Sequence, residues 1–139
     1  MLRDYFRFCR DYYERHGYRC NMPSVGYRVA KEESILFSYA RNGFAMTVDP
    51  VSTGGEEWDR FLDAFNERCS SKNGKPLFNQ TPGVTPEQAQ RAFGPQIKQF
   101  LTLRQQHDPH GRFYTPWFRG LFSDTRLSKQ SGPVLGDAA

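Results

Sequence analysis

Polar side chains suited to contacting a ligand are concentrated between Lys75 and Thr81. The segment reads KPLFNQT, so two amides and a hydroxyl, those of Asn79, Gln80 and Thr81, follow a short apolar run. Such groups can fix the polar edge of a bound small molecule. The same residue types are common where a strand enters a turn, and there they contact only their own backbone. The residues alone leave both interpretations open.

A second polar cluster, His107-Asp108-Pro109-His110, places a carboxylate between two imidazoles. A metal site needs further ligands, and the sequence offers no well-placed third. Pro109 also breaks any helix that would align the two histidines. We therefore predict a helix-ending turn here and no metal site.

The remaining reactive groups indicate no catalytic residue. The three cysteines, Cys9, Cys20 and Cys69, lack CxxC spacing, and each lies on an apolar stripe or just before a strand. An odd number of such thiols favours buried cysteines in a reducing compartment, and we predict a cytoplasmic protein. The start of the chain carries charges throughout and lacks the apolar core of a signal peptide.

Large aromatic residues follow the turn at Asp108. Phe113, Tyr114, Trp117 and Phe118 form a cluster that is unfavourable in water unless it packs against something. We predict that the four rings form a docking surface for another domain or for a second copy of the chain. The competing hypothesis is that the loop folds back onto the helix before it and completes the core of its own domain.

Two amphipathic helices are predicted in the first half of the chain. Helical spacing in the first predicts an end at Gly17 and one apolar stripe, formed by Leu2, Tyr5, Phe6, Cys9 and Tyr13. The start of the second is predicted at Thr53-Gly54-Gly55-Glu56, which has capping-box spacing with Thr53 in the cap position, and its end at Asn73-Gly74. Its stripe consists of Trp58, Phe61, Leu62, Phe65 and Cys69.

Two further helical segments precede the aromatic cluster. Thr85 and Pro86 have the residue types of an N-cap and a first helical position. Gly94-Pro95 then interrupts the helix. In the helical segment after the interruption, four residues lie on one side of the helix: Ile97, Phe100, Leu101 and Arg104.

Strand material lies between the first two helices. Val25, Tyr27 and Val29 alternate with other residues, and the runs 35–41 and 44–50 flank Asn42-Gly43, a strong hairpin signal. A two-residue turn there would place Tyr39 opposite Met46 and Ser38 opposite Thr47. The hairpin would then have one bulky apolar face and one small face, the latter formed by Ser38, Ala40, Ala45 and Thr47. The small face is either solvent-exposed surface or the wall of a binding site.

The order of these elements predicts the fold class. With a further strand at 75–79, it indicates an α+β fold over residues 1–122, in which helices cover one face of an antiparallel sheet. Residues 123–139 are rich in Ser, Gly and Asp and predict a loosely structured tail.

In order and spacing, five of these segments resemble the C-terminal part of a known enzyme family. The segments are FAMTVDP, EEWDRFLDAFNE, NGKPLFNQT, RAFG and FLTLRQQHDPHGRFYTPWF. The family is that of the FAD-linked oxidoreductases of the vanillyl-alcohol oxidase type, in the branch that contains aldonolactone and alditol oxidases. The resemblance implies the substrate (cap) domain and C-terminal segment of an enzyme that oxidises an alcohol or lactone-type substrate by hydride transfer to FAD.

The same resemblance implies partners and site residues. A separate FAD-binding domain or subunit would hold most of the FAD, because the Gly-rich pyrophosphate loop and the flavin-linking His of these enzymes have no counterpart in this sequence. The aromatic cluster would dock on that domain, and the small hairpin face would turn toward flavin and substrate. The candidate substrate-binding residues are Tyr27, Arg28, Thr47, Asn79 and Gln80. The candidate cofactor contacts are Asn79, Gln80 and Arg112.

The alternative is a non-catalytic α+β binding module for nucleic acid. The net charge of +4 is mildly basic, but the charges are scattered and form no basic run. Sheet-based RNA binders also need exposed aromatic residues on central strands, whereas Phe37 and Tyr39 are predicted to face the helices. The sequence therefore favours the flavin-dependent enzyme.

Overall fold

The computed structural model of the protein describes residues 1–122. Its α+β fold, as predicted, combines four helices with a two-stranded antiparallel sheet. The elements are α1 (Leu2–His16), β1 (Arg28–Val29), β2 (Ala45–Met46), α2 (Glu56–Ser71), α3 (Pro86–His107) and α4 (Pro116–Leu121). The predicted tail, residues 123–139, lies outside the described residues. Within the described range, no helix has both the length and the apolar character of a membrane span.

Two compact units make up the chain. The first, Met1–Val84, contains α1, the sheet and α2, and the second begins at Thr85 and contains α3 and α4.

Helix α1 ends at Gly17, as predicted. Gly17 has a φ of 70°, in the left-handed region that glycine adopts without strain, and its amide donates to the Tyr13 carbonyl at 2.8 Å. The buried face of α1, however, differs from the predicted stripe. Tyr5, Phe8 and Tyr12 are buried, while the predicted core residues Leu2, Phe6 and Tyr13 are exposed.

Aromatic rings pack α1 against α2. Phe61 is 1% exposed, and its ring centroid lies 5.4 Å from that of Phe8 and 5.1 Å from that of Tyr12. Trp58 of α2 also stacks on Phe61, with ring centroids 5.8 Å apart. The predicted stripe of α2 is therefore confirmed at its centre, and it selects which face of α1 becomes buried.

The predicted start of α2 is wrong by two residues. The N-cap is Gly55, and it has no capping side chain. The Thr53 hydroxyl instead accepts a hydrogen bond from the Asn21 side chain at 2.6 Å, so it is not available to cap the helix.

The predicted hairpin at Asn42-Gly43 is wrong. The sheet pairs β2 with β1, with Arg28 opposite Met46 and Val29 opposite Ala45. Val25 and Asp49 extend the same pairing as an isolated bridge. The run 44–50 therefore has a strand partner, but that partner is the segment from Val25 to Val29.

Local hydrogen bonds explain why the run 35–41 does not join the sheet. The Ser38 hydroxyl accepts from the Ala40 amide at 3.2 Å, and the Arg41 guanidinium donates to the Ile35 carbonyl at 3.0 Å. Bonds of this kind satisfy the backbone within a loop and compete with strand pairing. Ser38 and Ala40 are consequently buried within this loop, and the predicted small hairpin face does not exist.

Unit 2 begins as predicted. The Thr85 hydroxyl accepts from the Gln88 amide and the Gln88 side chain accepts from the Thr85 amide, which completes a capping box. Helix α3 is kinked just before Gly94-Pro95, where Phe93 has a non-helical φ of −140°. Pro95 lacks an amide hydrogen, so it cannot bond to the carbonyl four residues earlier, and its ring crowds that carbonyl; the regular helix is interrupted over this turn.

Candidate functional site

Two of the candidate substrate-binding residues meet at the end of the two-stranded sheet. The Thr47 amide donates to the Tyr27 carbonyl at 2.9 Å, and the Tyr27 amide donates to the Thr47 hydroxyl oxygen at 3.2 Å. A threonine hydroxyl has one donor hydrogen in addition to its acceptor oxygen, so Thr47 can donate to a ligand while it accepts from Tyr27. Tyr27 itself is exposed, so its phenol faces solvent.

Arg28 is positioned by an aromatic residue that the sequence did not single out. Its guanidinium carbon lies 4.9 Å from the centre of the Phe44 ring, and both residues are exposed. Stacking on a ring orients the planar guanidinium while leaving its N–H groups to bind a partner. The candidate surface of unit 1 therefore combines one cation with the Thr47 hydroxyl and the Tyr27 phenol.

Asn79 and Gln80 lie in a turn, and the predicted strand at 75–79 is wrong. The Leu77 carbonyl accepts from the amides of Gln80 and Thr81 at 2.9 and 2.8 Å, and the Thr81 hydroxyl accepts from the Leu77 amide at 3.1 Å. The turn thereby satisfies its own backbone and leaves the amide side chains of Asn79 and Gln80 exposed. A ring contact of 5.3 Å between Phe78 and Phe37 attaches this turn to the loop before β2.

The helix-ending turn at Asp108 is confirmed in unit 2, and its carboxylate organises the loop. One carboxylate oxygen accepts from the Arg112 amide at 2.8 Å and the other from the Phe113 amide at 3.0 Å. The Asp108 carbonyl accepts from the Gly111 amide and from the Arg104 guanidinium. Arg112, the remaining candidate cofactor contact, has an exposed side chain at the centre of this loop.

The guanidinium groups of two arginines of unit 2, Arg104 and Arg119, pack against the ring of Tyr114. The guanidinium carbons of Arg104 and Arg119 each lie 5.0 Å from its centre. Arg119 also donates to the carbonyls of Tyr114 and Gly111 at 3.0 and 3.2 Å. Gly111 has a φ of 65°, and an added Cβ would lie 2.7 Å from the Arg119 guanidinium. The left-handed backbone conformation favours glycine at this position, and a larger residue would also displace the end of the Arg119 side chain.

The four aromatic residues of the cluster divide into two pairs. Tyr114 and Phe118 pack on Phe100 of α3, with ring centroids 6.3 and 6.2 Å away, in agreement with the competing hypothesis. Phe113 is 86% exposed and Trp117 is 48% exposed, as a docking surface requires. The sequence did not predict α4, which begins at the Thr115 cap and Pro116 and carries one ring of each pair, Trp117 and Phe118.

We expect two aspartates of the chain to titrate on opposite sides of the ordinary carboxyl pKa. Desolvation acts to raise the pKa of Asp108, but bonds from the Phe113 and Arg112 amides and the charge of Arg104 outweigh it, so the pKa is lowered. Burial raises the pKa of Asp49. Because the folded pKa of Asp108 is lowered, its stabilising contribution is present above the ordinary pKa and is lost as pH falls through the lowered value.

A pH titration followed by NMR of the side-chain carboxyl carbons measures the pKa values of Asp108 and Asp49 in one sample. Asp49 serves as the internal control for the direction of the Asp108 shift. A pKa of Asp108 at or above that of Asp49 would contradict the loop geometry described above.

Comparison with known proteins assigns the class. A model of the family described as D-arabinono-1,4-lactone oxidase matches residues 2–121. The chain therefore falls within the FAD-linked oxidases of the aldonolactone type. It belongs to the D-arabinono-1,4-lactone oxidase family, in agreement with the resemblance seen in the sequence. No curated protein and no solved structure matches the chain.

The described residues offer groups that fit parts of an FAD molecule. Exposed amides such as those of Asn79 and Gln80 can both donate and accept, which suits the alternating donors and acceptors along the edge of a flavin ring. The exposed Arg112 guanidinium has the charge and geometry to pair with a phosphate. Among residues 1–122, no three His, Cys, Asp or Glu side chains are grouped as a metal site would require.

Proposed function

We propose that this chain is the substrate-domain part of an FAD-dependent oxidoreductase that acts on an alcohol or lactone-type substrate. The observation that carries the proposal is the family match, which extends over residues 2–121. Bound FAD supplies the electron chemistry, namely acceptance of a hydride from the substrate carbon. The residues of this chain bind and orient the substrate.

Three groups of unit 1 suit a hydroxylated lactone. The Arg28 guanidinium can donate to a lactone carbonyl while its face rests on Phe44. The Thr47 hydroxyl can donate its hydrogen to a ring oxygen while its own oxygen accepts from the Tyr27 amide. The Tyr27 phenol can donate to or accept from a substrate hydroxyl. We assign these three residues to substrate binding and name no catalytic base.

We further propose that Asn79, Gln80 and Arg112 contact the cofactor and that an FAD-binding domain outside residues 1–122 is the partner. Phe113 and Trp117 would dock on that domain, because a large exposed ring gains free energy when it is removed from water. In this arrangement Tyr114 and Phe118 hold the loop and the two outward rings make the contact.

We expect D-arabinono-1,4-lactone to bind the isolated chain at the end of the sheet. In NMR titrations the amide signals of Tyr27 and Thr47 should shift, and Arg28→Ala should weaken binding roughly tenfold or more, since a hydrogen bond to a charged group contributes about 1.5–3 kcal/mol. Arg10→Ala is the matched control, because Arg10 is an exposed arginine on α1. Equal affinities of the two variants, or shifts confined to other residues, would contradict the assignment.

Flavin retention separates binding of the substrate from binding of the cofactor. The chain mixed with FAD should elute colourless from gel filtration, because the described residues supply only edge contacts to the cofactor. Flavin should be retained once an FAD-binding domain of a family member is added. Tight retention by the isolated chain would contradict the proposed division of roles.

A further inference from the structure

The segment after α1 turns back along that helix and brings two cysteines into one cluster. Gly17 reverses the chain, after which the ring of Tyr18 contacts that of Tyr12 at 6.5 Å. Farther along, the Ser24 hydroxyl hydrogen-bonds to the Tyr5 hydroxyl. The two contacts run in opposite directions along α1, so the returning segment is antiparallel to the helix.

Cys9 and Cys20 lie between these two contacts. On α1, Cys9 shares a face with Tyr5 and Tyr12, because residues four and three positions apart lie on the same side of a helix. On the returning segment, Cys20 lies between Tyr18 and Ser24. Both thiols are half-buried, and both pack against the core cluster around Phe61.

The electrostatics of the two thiols are consistent with this placement. Burial raises the pKa of Cys20 to about 11, and the next largest contribution comes from Cys9. Burial also raises the pKa of Cys9, partly offset by its interaction with the Tyr5 side chain. The geometric basis for pairing the two thiols is that both pack against the same buried cluster, on segments that run side by side.

We propose that Cys9 and Cys20 are a modification site at which a reversible disulfide links α1 to the returning segment. With oxidised glutathione, one thiolate attacks the disulfide to form a mixed disulfide and release one glutathione thiol. The second cysteine then attacks the mixed disulfide, and the second glutathione thiol leaves. The protein loses two protons and two electrons, and one oxidised glutathione becomes two reduced molecules.

The disulfide would tie down the segment that leads into β1. That segment precedes Tyr27 and Arg28, so the bond would restrain the approach to this strand. A bond that fits the folded geometry is more stable in the folded chain than in the unfolded chain, and by the same factor it stabilises the fold.

The test measures the disulfide equilibrium constant of the full chain in glutathione redox buffers, once folded and once in denaturant. The expected result is a Cys9–Cys20 disulfide whose equilibrium constant is roughly tenfold or more higher in the folded chain. The entropy of closing the loop between the two cysteines contributes to both equilibrium constants. The ratio of the folded to the denatured constant therefore reports how well the folded geometry suits the disulfide. A ratio at or below one would overturn the proposal.

Cys69 is the matched control for reactivity. Burial raises the pKa of its thiol to about 11, as for Cys20, so a difference between the two reports position and not acidity. Mapping by peptide mass spectrometry should show Cys69 as a free thiol in the folded, oxidised chain, and Cys69→Ser should leave the equilibrium unchanged. Cys9→Ser should abolish the disulfide. A folded-state disulfide that includes Cys69 would overturn the assignment.

Discussion

Phe61→Ala should lower the free energy of unfolding of unit 1 by roughly 3–5 kcal/mol. Phe61 is 1% exposed, and its ring contacts rings on both helices of the unit. Its loss removes apolar burial and leaves a cavity between α1 and α2. Since a domain is typically stable by only about 5–15 kcal/mol, the substitution would remove a large share of the stability of unit 1.

Chemical denaturation followed by circular dichroism measures this effect, and two α1 variants serve as matched controls. Phe8→Ala should be destabilising because Phe8 is buried against Phe61, whereas Phe6→Ala should be nearly neutral because Phe6 is 66% exposed. The reverse order of the two α1 variants would show that the helix buries the stripe first predicted from its spacing.

Trp117→Ala should weaken association with an FAD-binding domain by roughly 30-fold or more while leaving the melting temperature of the isolated chain nearly unchanged. Trp117 is 48% exposed, and Phe113, four positions earlier in the chain, is 86% exposed. Tryptophan is over-represented among residues whose truncation costs about 2 kcal/mol or more at interfaces. Association is measured by isothermal titration calorimetry with the domain of a family member.

Phe118→Ala is the control with the opposite expected outcome. Its ring packs on Phe100 and lies 5.3 Å from Phe122, so its removal should lower the melting temperature by several degrees. If Trp117→Ala also unfolds the chain, the outward rings belong to the core. If Trp117→Ala instead abolishes self-association in sedimentation experiments, the partner is a second copy of the chain.

Local signals predicted the ends of several elements because those signals act within one turn of the chain. Gly17 ends α1, Thr85 caps α3, and the Asp108 turn ends α3, as the residue types indicated. The sequence also assigned the correct family, since the matching segments lie in order along the chain. Among the candidate site residues, Arg112 lies in the turn predicted after α3, whereas Asn79 and Gln80 lie in a turn where a strand was predicted.

Tertiary structure alone decided which strand pairs with β2. Hydrophobic alternation and Asn42-Gly43 favoured the neighbouring run, but hydrogen bonds within that loop satisfied its backbone and left β2 to pair with the more distant β1. The choice brought Tyr27 beside Thr47 and Arg28 over Phe44. No local pattern could have predicted these contacts, because they depend on a competition between alternative partners.

Competition between alternative packing partners also decided which faces of the helices and which rings of the aromatic loop are buried. Spacing in α1 allowed more than one apolar face, and packing against Phe61 selected the face with Phe8 and Tyr12. Residue types after Asp108 indicated a ring cluster, but packing against α3 decided that Tyr114 and Phe118 contact Phe100 while Phe113 and Trp117 stay exposed. The sequence by itself determined where helices end and to which family the chain belongs. The tertiary structure decided which faces and strands meet, because burial depends on residues far apart in the chain.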